Sequence, residues 1–199
     1  MTDARLVCPL WRGKRNVDAL TISVIERAEK ALGFQLIITQ GSYQGSGGDP
    51  KSAGTHAEGG AADFSTRGLT TEQKHRAVLE LRKAGMFASV RTPAEGNWPE
   101  HIHGIVVDHP NLSPAAAAQI VDYRKGLNGL ANHRRDTGPR LNPIPVPVWP
   151  VVPPKKKRPQ RIRESLKQLR AQLADPATGP TQRKRILAAI ADLKKIEKR

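Results

Sequence analysis

Leu20, Val24, Ala28 and Leu32 recur at the spacing that gathers apolar side chains on one face of a helix, and Gly33 follows where a left-handed C-cap residue ends such an element. A helix over roughly 17–32 is predicted. Phe34-Gln-Leu-Ile-Ile-Thr39 then reads as a strand. The segment from Gln40 to Gly60 is rich in Gly, Ser and Asp, and polar loops of that length commonly carry function. A short strand near 61–65 comes next. Thr70 and Gln73 have the spacing of a capping box ahead of Val78 and Leu81, with Gly85 closing that helix. Phe87–Arg91 and Ile102–Val107 pattern as short strands, and Ser113-Pro114 opens a helix through Tyr123, an N-cap with proline at the first helical position. Helices interspersed with short strands, without a regular βαβ rhythm, predict an α+β fold.

Beyond residue 137 the pattern changes. Pro139-Arg-Leu-Asn-Pro143-Ile-Pro145-Val-Pro147-Val-Trp-Pro150-Val-Val-Pro153-Pro154 alternates proline with apolar residues, which suits neither a helix nor a central strand. Residues 138–159 read as a semi-rigid, polyproline-like linker. After it, Ile162, Leu166, Leu169 and Leu173 form one helical stripe and Ile186, Ile190 and Leu193 a second, separated by the breaker Asp175-Pro-Ala-Thr-Gly-Pro180, with Thr181 placed to cap the second helix. The expected organisation is a domain over 1–137, the linker, and an antiparallel helical hairpin over 160–199.

Length and composition narrow the class. The chain has 199 residues, 38% of them apolar and 26% charged, enough for one ordinary domain with an appendage. Proline or charge cuts its longest apolar stretches well short of the ~20 residues a membrane span needs. Asp3, Arg5, Pro9, Arg12 and Lys14 interrupt the first fifteen residues, so no signal peptide is read there and synthesis in the cytoplasm is expected. The single Cys8 excludes an internal disulfide and any multi-cysteine metal cluster, leaving His and carboxylates as the available ligands. The net charge is +15, but residues 155–199 hold fifteen Lys/Arg against four Asp/Glu, a balance of +11. The basic character therefore belongs to the C-terminal module, and an anionic partner is expected there.

Three of the six histidines, His56, His101 and His103, stand beside carboxylates in or next to predicted strands. A catalytic zinc site needs about three protein ligands of this type, an open position for water, and a nearby base. His56-Ala-Glu-Gly-Gly-Ala-Ala-Asp63 supplies an imidazole and a carboxylate across a glycine-containing turn, and Glu100-His101-Ile102-His103 supplies the remainder. On a strand, His101 and His103 face the same side and form a natural ligand pair, with Glu100 turned away. If Pro99 bends the strand start, Glu100 and His103 converge instead, as base and ligand. Composition does not choose between these arrangements.

His-x-x-Gly-x-Ala-x-Asp followed tens of residues later by Glu-x-x-His, here His56, Gly59, Ala61, Asp63, Glu100 and His103, resembles the zinc D-alanyl-D-alanine metallopeptidases. That family includes vancomycin-resistance dipeptidases, D-Ala-D-Ala carboxypeptidases and L-alanyl-D-glutamate endopeptidase endolysins. The segments 38–44, 52–63 and 123–131 are similar to peptidases of actinobacterial phages, so the resemblance covers roughly 16–131. It implies a small zinc-peptidase domain with a short antiparallel sheet flanked by helices. His56, Asp63 and His103 would bind Zn2+, Glu100 would be the catalytic base, and His101 would contact substrate. Two positions depart from the family's pattern. Gly54 stands where a serine is usual, and Gln44 stands where many members carry an arginine that polarises the scissile carbonyl. A neutral amide at Gln44 supplies a hydrogen bond without the charge, so oxyanion stabilisation would rest more on zinc, with Gln40, Tyr43 or His101 assisting. Trp98 reads equally as a substrate-flanking aromatic or as core.

The function expected from this resemblance is a phage-type endolysin that hydrolyses amide bonds in peptidoglycan stem peptides or cross-links and lyses the host wall. The basic tail would hold it on anionic wall polymers, a retention that weakens with salt. The alternatives are a non-catalytic wall-peptide binder, a virion-associated wall-piercing component, and a nucleic-acid-binding protein. The last has only Lys155-Lys-Lys-Arg158 and the basic hairpin in its favour.

Overall fold

The computed structural model describes residues 10–11, 15–44, 52–147, 166–167, 169–174, 182–183, 186–188 and 190–191. The chain divides into two units, 1–152 and 153–199. In the first, a two-residue hairpin, β1 (Leu10–Trp11) and β2 (Arg15–Asn16), precedes α1 (Ala19–Leu32) and β3 (Ile38–Gln40). Then come β4 (Ala61–Ser65), α2 (Thr71–Lys83), β5 (Met86–Arg91), β6 (His101–Val106) and α3 (Pro114–Lys125). Strands β3 to β6 form one antiparallel sheet in the order β3-β4-β6-β5. This is an α+β architecture.

Each helix starts and stops for a local reason. Asp18 caps α1 by accepting from the Thr21 N–H, and Gly33, at φ 79°, ends it. Thr70 and Gln73 form the complete reciprocal capping box of α2. Ser113 caps α3 ahead of Pro114, and Gly126, at φ 83°, ends it. The strand expected at 34–39 begins only at Ile38, because Leu36 is buried with its N–H donated to the Glu29 carboxylate (2.8 Å) rather than to a neighbouring strand.

Register decides which side chains reach the site. Asp63 pairs with His103, Ser65 with His101, Ala61 with Ile105, Ser89 with His103 and Arg91 with His101. Cross-strand partners and alternate residues share a face, so Ala61, Asp63, Ser65, Phe87, Ser89, Arg91, His101, His103 and Ile105 lie on one side. On the other side Ala62, Phe64, Met86, Ala88, Ile102 and Val106 pack with Val24, Ile25 and Ala28 of α1 and Ala77, Val78 and Leu81 of α2 into the main core. The site face is itself divided. Its Ala61, Phe87 and Ile105 end is covered by Ala116, Ile120 and Tyr123 of α3, whereas the Asp63, His101 and His103 end opens into a cavity.

Residues 138–147, the first part of the expected linker, lie against this unit. Ile144 packs on the α3-side cluster, and Pro147 sits so close to Gly85 that a Cβ there would approach its ring nitrogen to 2.7 Å. In the second unit, helical residues within 166–174 and 182–191 share an apolar cluster: Leu166, Ile186 and Ile190 are buried, with Leu169 and Leu173 against them. Leu166, Leu169 and Leu173 of the first stripe and Ile186 and Ile190 of the second thus share one cluster, while Cys8, Ile162, Thr181, Leu193, the run 155–158 and the breaker 175–180 lie outside the described residues. No helix among the described residues is long and apolar enough to cross a membrane.

Candidate metal centre

His56, Asp63 and His103 come together at the floor of a cavity of about 450 Å³, each buried and each offering one ligand atom, all within 4.8 Å of one another. Asp63 and His103 are brought there by the β4–β6 register, and His56 by the loop that leads into β4. That loop is held close by its glycines. A Cβ at Gly59 would lie 2.5 Å from the His109 ring and 2.7 Å from the Tyr43 hydroxyl, so only glycine lets the backbone pass there. Gly60, at φ 83°, donates its N–H to Asp18 Oδ2 (3.4 Å).

Hydrogen bonds identify the metal-facing atoms. The His56 Nδ1–H donates to the Gly41 carbonyl (2.9 Å), which leaves Nε2 facing Asp63 Oδ2 at 3.3 Å. With the ring proton on Nδ1 these are two lone pairs pointed at each other, an arrangement that either a second proton on the ring or a cation between them resolves. About the same separation divides two ligands that each stand ~2.0–2.1 Å from a tetrahedral zinc. His103 Nδ1 lies 2.7 Å from Asp63 Oδ1, and its Nε2 is buried without a hydrogen-bond partner. Burial opposes ionisation of Asp63, but the charge and hydrogen bonds of His103 and His56 outweigh it and hold the carboxyl far below its ordinary range. Burial likewise pushes the His103 imidazole down, against the pull of Asp63. An ionised carboxylate and neutral imidazoles are the states in which these side chains bind a metal. The nitrogen and oxygen donor set fits zinc and related divalent ions, and the geometry does not distinguish among them.

His101 lies on the same sheet face as His103. Its Nδ1–H donates to the Pro99 carbonyl (2.8 Å), and Nε2 stands 3.9 Å from Asp63 Oδ2, at the cavity wall rather than within the ligand group. Glu100, just before β6, lines the same cavity. Its carboxylate pairs with Lys74 of α2. The hydrogen bond from Lys74, with support from Thr66, holds the Glu100 carboxyl below the usual range. Gln40 also lines the cavity, donating to Ser52 Oγ (2.8 Å) and to Gln44 Oε1 (3.1 Å). Gln44 in turn donates to the Gly41 carbonyl (3.2 Å), so it stands behind Gln40 rather than among the lining residues. Tyr43, at φ 58°, directs its hydroxyl toward Gly59 and is not among them either. Trp98 is at the cavity, edge-on to His101 with ring centroids 6.4 Å apart.

Arg91 and Gln119 also line this cavity and were not anticipated from the sequence. Arg91 ends a strand whose alternation was readable, but only the β5–β6 register sets it opposite His101. Gln119 is one polar residue in an alanine-rich helix and carries no spacing signal. No protein family, curated protein or solved structure matches the chain at a significant level.

Proposed function

We propose that this chain is a zinc-dependent peptidase acting on peptidoglycan, of the phage endolysin type. The observation that carries the reading is the convergence of His56, Asp63 and His103 in one buried cluster beneath a cavity that Glu100 and His101 also line. Zinc held there would supply Lewis acidity and an acidified water. Glu100, ionised beside Lys74, accepts the proton of the attacking water and returns it to the leaving amine. Because Lys74 lowers its proton affinity, Glu100 becomes a stronger base when that contact loosens. His101, its tautomer fixed by Pro99, presents Nε2 as an acceptor for a substrate N–H, and Gln40, whose amide N–H groups are taken up by Gln44 and Ser52, presents its Oε1 as a second acceptor at the cavity wall. Tyr43 acts indirectly, by packing the Gly59 turn that carries His56.

The C-terminal unit, with its excess of fifteen bases over four acids from 155 onward, is proposed to retain the enzyme on anionic wall polymers. Synthesis in the host cytoplasm and action at the wall after release belong to the same proposal. The Lys74–Glu100 pair favours one rival, a relative that binds wall peptides without cutting them.

The test is mass spectrometry of purified peptidoglycan after incubation with the full chain, run with zinc, with a chelator, and with Glu100→Ala. New stem-peptide or cross-link fragments that vanish in both controls support the peptidase and identify the bond. Intact peptidoglycan from several wall types, with metal bound, overturns it in favour of the binder.

A further inference from the structure

Four buried side-chain polar atoms without a hydrogen-bond partner belong to residues lining one cavity, the one above His56, Asp63 and His103: His103 Nε2, Arg91 Nη1, Trp98 Nε1 and Gln119 Oε1. Buried polar atoms are ordinarily satisfied, so such a concentration at one cavity points to a ligand that completes them. Arg91 is the unusual member. It is only 3% exposed, and its Nη2 is anchored on the Asn128 carbonyl (2.8 Å), while its guanidinium stands over the Phe87 ring at 6.0 Å. No carboxylate of the described residues lies in ion-pair contact with it, and Glu95, Asp136 and Asp63 act on it only from further away. A guanidinium cannot shed its proton to escape burial, and a buried cation without an anion is costly.

The charge of the surroundings says what the anion is. The ionised lining residues are Arg67 and Arg91 against Asp63 and Glu100, which balance, so a divalent ion on the His56, Asp63 and His103 cluster leaves the cavity net positive. Trp98 and Leu130 give the same cavity apolar wall, which suits a small organic anion better than a phosphate.

We propose that Arg91 Nη1 binds a carboxylate of the peptide substrate and thereby selects peptides with a free carboxyl group close to the bond that is cut. The identity of that substrate rests on the peptidase reading, whereas the carboxylate subsite is a binding property measurable without turnover. Arg91 is held rigid by Asn128 and Phe87, so its fork is set before the peptide arrives and little ordering cost accompanies binding.

The experiment measures binding by titration calorimetry of acetyl-alanyl-alanine, as L,L and D,D isomers, and of the corresponding C-terminal amides, to the zinc-loaded full chain and to Arg91→Gln. At least one free acid is expected to bind roughly tenfold or more tighter than its amide, the discrimination a charge-assisted hydrogen bond provides. In Arg91→Gln that ratio should fall to within about twofold, with zinc stoichiometry unchanged. A ratio that persists in the variant overturns the proposal, because the carboxylate then sits on the metal. Equal affinity of acid and amide in the unmodified chain, or no binding of either, overturns it without reference to any variant, which covers an Arg91→Gln chain that fails to fold. A chain that discriminates acid from amide but leaves peptidoglycan intact sinks the peptidase reading alone. One that cuts peptidoglycan but does not discriminate sinks this inference alone.

Discussion

Asp18 caps α1, accepts a hydrogen bond from the Thr21 hydroxyl, and meets His109 Nε2 at 3.2 Å, all within a fully buried pocket behind the loop that presents His56. Burial raises its proton affinity, but the hydrogen bond and charge of His109 and the donors of Thr21 outweigh that and hold its carboxyl below the ordinary value of 3.8. A carboxylate depressed in the folded state contributes stability that is present above the unfolded value and is lost as pH falls through the folded one. The stability gap between the unmodified chain and Asp18→Asn should therefore be widest near neutral pH and narrow as pH drops below 3.8. Urea unfolding across that range checks it, and a gap that does not change with pH would refute the assignment. At this scale the sequence revealed residue types and spacing: His56, Asp63, Glu100 and His103 were nominated by a motif, and all four reach one cavity. What it concealed were the contacts made across the fold. Lys74 on Glu100 and His109 on Asp18 join residues 26 and 91 positions apart, and no local pattern encodes them.

Among the elements, β4 and β6 divide the molecule into a core side and a site side. Gly104 shows how tightly the core side is packed, since a Cβ there would come within 2.4 Å of the Met86 sulfur. Helices were readable because their signals are local: the apolar spacing and Gly33 for α1, the Thr70 and Gln73 box for α2, and Ser113 with Pro114 for α3. Strand register was not readable, because it is set by pairings between separate strands, Arg91 with His101 ten residues on and Asp63 with His103 forty residues on, and with it went the placement of Arg91. Arg82 of α2 is the other element-scale feature without a sequence signal. Fully buried, it forms a double hydrogen bond with Asp136 (2.8 and 3.0 Å), donates to the Ala88 and Pro139 carbonyls, and lies over the Phe87 and Tyr123 rings. It thus ties α2, β5, α3 and the 136–139 segment together. Breaking such a pair leaves Asp136 buried and uncompensated, so Arg82→Met should destabilise the chain by roughly 3–5 kcal/mol. Equilibrium denaturation measures this, and a loss under about 1 kcal/mol would mean the clamp is incidental.

At the scale of the whole molecule, two compact units differ sharply in charge, with the larger share of the +15 in the C-terminal one. A non-specific electrostatic tether falls off as salt screens it, over a Debye length of about 8 Å at physiological ionic strength. Retention on isolated walls should accordingly fall steeply from low to high salt. Replacing Lys155, Lys156, Lys157 and Arg158 with glutamine in the full chain should weaken low-salt retention and leave metal content unchanged. Retention indifferent to both salt and these substitutions would indicate a specific, uncharged receptor. The buried cluster of His56, Asp63 and His103 is probed by the metal content of the purified full chain after equilibration with zinc and removal of free ion. One zinc per chain is expected, retained in Glu100→Ala and lost in His56→Ala, Asp63→Ala and His103→Ala while each variant remains folded. Stoichiometric zinc persisting in those three variants, or none in the unmodified chain, would contradict it.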